Sequence, residues 1–82
     1  MSREQTRFKL VTAFHQVFGQ QLSLSDEMGP DDVEGWDSLM HVVLITATEK
    51  LFSVKFTGTD MANAVSVGEL VSIIEAKQKS IS

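Results

Sequence analysis

Eighty-two residues make one small domain, and with 43% apolar against 22% charged residues the chain is ordinary globular material rather than a disordered tail. The absence of cysteine excludes disulfide staples, zinc knuckles and thiolate chemistry. A net charge of −4, from 11 acids against 7 bases, repels a phosphate backbone and speaks against nucleic-acid binding, while the short length leaves little room for a large catalytic cleft.

The N-terminus, Met1-Ser2-Arg3-Glu4-Gln5, mixes charges and has no apolar signal core. From Phe8 onward, apolar residues recur at Phe8, Val11, Phe14 and Phe18 with Leu10 and Val17 beside them, which predicts an amphipathic helix from Arg3 to Phe18, stopped by Gly19. A long stretch from Gly19 to Asp37 follows, containing Gly29, Pro30 and Gly35. It either hides a short helical turn or is a functional loop. Its acids (Asp26, Glu27, Asp31, Asp32, Glu34 and Asp37) lack the alternation of a calcium loop and are read as solvated groups around a turn.

Asp37-Ser38 is a good helix start, since a carboxylate there meets free N–H groups and the positive end of the helix dipole. The helix runs to Phe52 without Gly or Pro, the most apolar run, Val42–Ile45, being far short of the roughly 20 residues that span a bilayer. A cytoplasmic chain with no membrane span is expected. His41, Ile45, Thr48 and Phe52 form one stripe with Leu44 beside it; Met40, Val43, Ala47 and Lys50 form the opposite one. The second stripe either lies under the preceding loop or forms an apolar contact for another protein.

Ser53 to Thr57 alternates like a strand but has nothing to pair with, so it is read as an extended segment dropping Val54 and Phe56 into the core and ending at Gly58. Thr59 to Ala64 is a single helical turn capped by Thr59 or Asp60. Ser66-Val67-Gly68-Glu69 is a capping box that opens a last helix, with Val67, Leu70, Val71 and Ile74 on one face and a frayed tail from Lys77 to Ser80. Three main helices plus one short helix make an all-α, small four-helix bundle, one domain over residues 1–82, structured from about 3 to 78.

Ser38 is the residue with the most chemical interest. As a hydrolase nucleophile it would use His41, one turn away, but Gly35-Trp36-Asp37-Ser38-Leu39 is not a nucleophile elbow, and His15, between Phe14 and Phe18, reads as a packing residue. As a cap it needs no further function. As an attachment point it would place an anionic group beside free backbone N–H groups and the positive dipole end.

Asp37-Ser38-Leu39, opening an apolar helix that ends Glu49-Lys50-Leu51-Phe52, resembles the acyl carrier proteins, and the likeness extends over nearly the whole chain. Peptidyl carriers are similar, but Trp36-Asp37 looks more like the lead into the serine in carriers of polyketide or other specialised pathways. The resemblance implies a stand-alone, monomeric carrier and no enzyme activity. In it, a phosphopantetheinyl transferase attaches 4′-phosphopantetheine from coenzyme A to Ser38, with Asp37 and Leu39 in the recognition motif. The arm's thiol would hold acyl or aminoacyl groups as thioesters for loading, condensing or modifying enzymes.

The same likeness implies an interior lined by Ile45, Thr48, Phe52, Val54, Phe56, Met61, Leu70 and Ile74, and a partner face of Met40, Val43, Ala47, Glu49 and Lys50. Many members carry acids on that face. Here the stripe is Met40, Val43, Ala47 and Lys50, with Glu49 near its edge, so docking is expected to rely more on apolar contact and less on charge steering. Thr48 stands where the family usually has a large apolar residue, and with Thr46 nearby a short or polar cargo is expected. Strong chemical-shift changes throughout the core on loading a long acyl chain would contradict that. The alternative from another class is a non-covalent helical adaptor that binds through the Met40 and Val43 face.

Overall fold

The structure is a computed structural model that describes residues 3–19 and 23–81; Met1, Ser2, part of the long loop (20–22) and residue 82 lie outside the described residues. Four helices follow one another: α1 (Arg3–Phe18), α2 (Ser38–Phe52), α3 (Gly58–Asn63) and α4 (Val67–Ile81). The chain is all-helical among the described residues, and none of these helices is long and apolar enough to cross a membrane.

α1 ends where expected. Gly19 takes φ +70°, a left-handed conformation that costs glycine nothing, and its N–H closes on the His15 carbonyl at 2.9 Å. Of the predicted stripe, Leu10 and Phe14 are buried and Val17 and Phe18 pack against the core, with Thr6 and Ala13 added to the buried face, but Phe8 is 81% exposed. The helical period explains this correction: at about 100° per residue, Phe8 stands about 160° around the axis from Leu10. His15 is likewise exposed rather than packed.

α1 packs against both α2 and α4. The core between them is built from Leu10 and Phe14 of α1, Leu44, Ile45 and Phe52 of α2, and Val67, Leu70, Val71 and Ile74 of α4. Burying a side chain of this size contributes about 1.5–3 kcal/mol, so these residues dominate the drive to fold. Val54 is buried beneath them, whereas Phe56 and Met61 are half-buried at the margin. Thr48 is fully buried, with its hydroxyl donating to the Leu44 carbonyl one turn back at 2.8 Å, which removes the penalty of an unpaired group.

The described part of the long loop contains turns and no helix, and it is not merely a solvated acidic segment. Val33 and Trp36 are buried in the core. Asp26 accepts hydrogen bonds from Arg7 Nη1 at 2.9 Å and Arg3 Nε at 3.1 Å. The loop backbone also caps α4: Val67 N–H donates to the Met28 carbonyl at 2.8 Å and Gly68 N–H to the Asp26 carbonyl at 2.9 Å. These are first-turn N–H groups that a helix cannot satisfy internally.

Two boundaries of the second half are corrected. α3 is capped by Thr57, not Thr59 or Asp60; Thr57 Oγ1 accepts from Asp60 N–H and the Asp60 carboxylate accepts from Thr57 N–H, both at 3.0 Å. Gly58 therefore opens the helix instead of ending the extended segment. α4 continues to Ile81 rather than fraying after Lys77, and Lys77 is itself anchored, with Nζ 2.6 Å from Asp60 and over the Phe56 ring. At its start Ser66 Oγ accepts from Glu69 N–H at 3.2 Å, one half of the capping box expected there.

Candidate functional site

α2 starts where a short turn reverses the loop. Gly35, at φ +89°, allows the Asp37 N–H to donate to its carbonyl at 3.1 Å, and the Trp36 N–H donates to Val33 at 3.2 Å. Asp37 is extended, its carboxylate accepts from the Met40 N–H at 2.9 Å, and its carbonyl accepts from the His41 N–H at 2.8 Å. These two bonds fix the first turn. Ser38 is the first helical residue and is exposed, followed by Leu39 at 73% exposure. The hydroxyl thus stands at the positive end of a 15-residue helix dipole, beside N–H groups that the helix does not use.

A groove of about 560 Å³ opens beside Ser38, between α2 and α3, walled by Pro30, Trp36, His41, Val42, Met61 and Val65. One wall is held by a bridge that the sequence did not disclose. The Trp36 indole Nε1–H donates to His41 Nδ1 at 2.9 Å, with the two rings stacked, and His41 Nε2 lies 3.0 Å from the Met61 carbonyl. An indole nitrogen only donates, so Nδ1 is the bare acceptor and Nε2 carries the proton given to Met61. Both ring nitrogens of His41 are committed, and it is not placed to act as a base toward the Ser38 hydroxyl. Phe14 meets Trp36 edge-on at 5.3 Å and Phe18 lies 6.3 Å away, so α1 supports the same wall.

The expected partner-face residues are not equivalent. Val43 is 43% exposed and Lys50 is exposed, whereas Met40 is half-buried and Ala47 packs partly against the core. Glu49 spends its carboxylate on the Phe56 N–H at 2.7 Å, holding the segment after α2. The exposed apolar surface is Leu39, Val42 (46% exposed) and Val43. Val42 was missed by the sequence reading, although Leu39, Val42, Val43 and Thr46 follow a helical spacing that would have found it. Between α1 and α2 this surface continues into a groove of about 590 Å³ that includes Gln16, Thr46 and Leu51. No Lys or Arg occurs between Lys9 and Lys50, so the loop that leads into Ser38 carries acids, among them Asp31, Asp32 and Glu34, and no basic side chain.

No family model matches the chain, and no curated protein sequence matches it. Among solved structures, the holo acyl carrier protein of Geobacter metallireducens, determined in solution by NMR, superposes with a TM-score of 0.85 at 30% sequence identity, over 93% of this chain and 88% of that one. With that identity carried across nearly the full length of both, the chain belongs to the acyl carrier protein family.

Proposed function

We propose that Ser38 carries 4′-phosphopantetheine and that the chain delivers acyl or aminoacyl groups, held as thioesters on the arm's thiol, to successive enzymes of a specialised pathway. The observation that carries this reading is the exposed Ser38 hydroxyl at the first turn of α2, framed by Asp37 and Leu39, in a fold shared with a carrier described in its holo state. The surroundings fit the group: free N–H groups at the helix start suit a phosphodiester, and the adjoining groove is wide and largely apolar. Attachment by a phosphopantetheinyl transferase forms a bond from Ser38 Oγ to phosphorus, breaks the pyrophosphate link of coenzyme A, releases 3′,5′-ADP and gives up the hydroxyl proton. Tethering then raises the effective concentration of one intermediate at each partner.

Leu39, Val42 and Val43 support an apolar docking face for the loading, condensing or modifying enzymes. The same exposed residues favour the second reading, a non-covalent adaptor that needs no modification at Ser38. Intact-protein mass after incubation with coenzyme A, magnesium and a broad-specificity transferase separates the two. A gain of one phosphopantetheine that Ser38→Ala lacks is the expected result. No gain on folded protein with several transferases would sink the carrier reading and leave the adaptor.

A further inference from the structure

The geometry points to His41 as a positioning residue that, in its neutral form, fixes the Trp36 wall of the groove beside Ser38 and, on taking a proton, lets go of that wall. What this means for an arm or its cargo rests on Ser38 being the attachment site, whereas the bridge itself does not.

Three segments that share no backbone hydrogen-bond ladder meet on this one ring. Trp36 belongs to the loop, His41 to α2, and the Met61 carbonyl to α3. α3 has only six residues, and the Met61 carbonyl near its end receives only the longer branch, 3.3 Å, of an Ala64 N–H that it shares with Asp60. His41 Nε2–H is a second donor to that carbonyl. On the other side, Nδ1 is the acceptor for an indole N–H that is almost wholly buried, Trp36 being 4% exposed. A buried donor left unpaired is costly, so the bond matters to the position of the loop.

The chemistry makes the bridge one-sided in proton state. Imidazolium donates from both nitrogens, and its Nδ1–H would point at the Trp36 Nε1–H, where no lone pair is available. The Met61 bond can survive protonation; the Trp36 bond cannot. A proton on His41 therefore frees the indole wall of the groove.

The charged groups around the ring do not replace the lost bond. On the loop side, Asp37 lines the same groove, but its carboxylate is engaged by Met40 N–H, and Asp32 accepts from Gly29 N–H. From α3, Asp60 is held by Thr57 and by Lys77 of α4, and α1 presents the phenyl rings of Phe14 and Phe18 to Trp36.

The test is a pH titration of the full-length, unmodified protein by nitrogen-15 NMR, following the His41 ring nitrogens, the Trp36 indole N–H and the α3 amides. His15, exposed on α1, serves as the control. The expected result is an Nε2–H tautomer at neutral pH. The Trp36 indole and α3 signals then shift with the His41 midpoint, and indole hydrogen exchange rises about fivefold or more as one hydrogen bond is lost. In His41→Gln, which lacks the ring acceptor, the pH dependence of the indole signal disappears.

An Nδ1–H tautomer, or an indole signal that ignores the His41 titration, overturns the proposal. Because the wild-type titration decides the matter alone, a His41 variant that fails to fold does not rescue it. Mass gain at Ser38 is scored separately: protein that loads but shows no coupled titration keeps the carrier reading and loses the His41 bridge as a proton-sensitive hold, and the converse result does the reverse.

Discussion

Asp26 ties three parts of the chain together, because its carboxylate receives Arg7 and Arg3 of α1 while its carbonyl receives the Gly68 N–H of α4. The hydrogen bond from Arg7, followed by that from Arg3, holds this carboxyl below its ordinary value of 3.8. Asp60 is lowered in the same way, chiefly by Lys77 and then by the Thr57 backbone N–H. A carboxyl whose folded-state value is depressed adds stability above its unfolded value, and that contribution is lost as pH falls through the lower, folded one. The melting temperature should therefore hold above pH ~4 and fall progressively below it as carboxylates protonate. Asp26→Asn should be less stable at neutral pH and should lose less on acidification. An unchanged acid slope in that variant, measured by circular dichroism melts, would show that these pairs do not contribute.

At the scale of an element, α2 is a helix with two occupied faces and one free face. Leu44, Ile45, Thr48 and Phe52 fill the core, His41 holds the groove wall, and Leu39, Val42 and Val43 remain open. Because Val43 is outside the core, Val43→Glu should change folding stability by less than about 0.5 kcal/mol. It should nonetheless weaken a partner enzyme's affinity about tenfold, since a charge would have to be desolvated against an apolar contact. Denaturant unfolding of the two proteins checks the first half, and titration of the holo protein against its partner at two salt concentrations checks the second. Wild-type binding that collapses at moderate salt would mean that charge, not apolar contact, drives docking.

The ends of α1 and α2 were legible because Gly19 and Asp37 act locally, through one backbone angle and one side-chain cap. The place of Ser38 as the first residue of α2 was legible for the same reason. The cap of α3 was not, because Gly58 resembles a stop unless Thr57 and Asp60 are taken as a reciprocal pair. The loop was opaque because its order comes from distant partners, Asp26 with Arg3 and Gly68, and Met28 with Val67. The stripe places His41 with Ile45, Thr48 and Phe52, but its partners, an indole and a main-chain carbonyl 20 residues on, lie in other segments and leave no trace in the helical spacing.

Across the whole molecule, the loop is strapped to α4 by two backbone hydrogen bonds, from Val67 to Met28 and from Gly68 to Asp26. A Cβ at Gly68 would come within 3.0 Å of the Asp26 carbonyl oxygen and 3.1 Å of the Asp26 Cβ. Gly68→Ala thus sets a gain in helix propensity of up to ~1 kcal/mol against overpacking of about 1–3 kcal/mol. The clash is with backbone held by its own hydrogen bond, so the loss should prevail. A fall in melting temperature of several degrees is expected, at about 4–8 °C per kcal/mol for a domain of this size. A rise instead would show that the strap yields easily.

The wall of the Ser38 groove has an optical consequence as well. Trp36 is the only tryptophan in a chain without tyrosine, so all emission excited at the red edge of protein absorption originates from that wall. The ring sits against an imidazole and two phenyl groups, where its quantum yield depends on what enters or leaves the groove. The unlabelled protein is thereby its own fluorimeter: attachment of an arm, exchange of cargo and engagement of a partner can each be followed in real time as a change in intensity or wavelength.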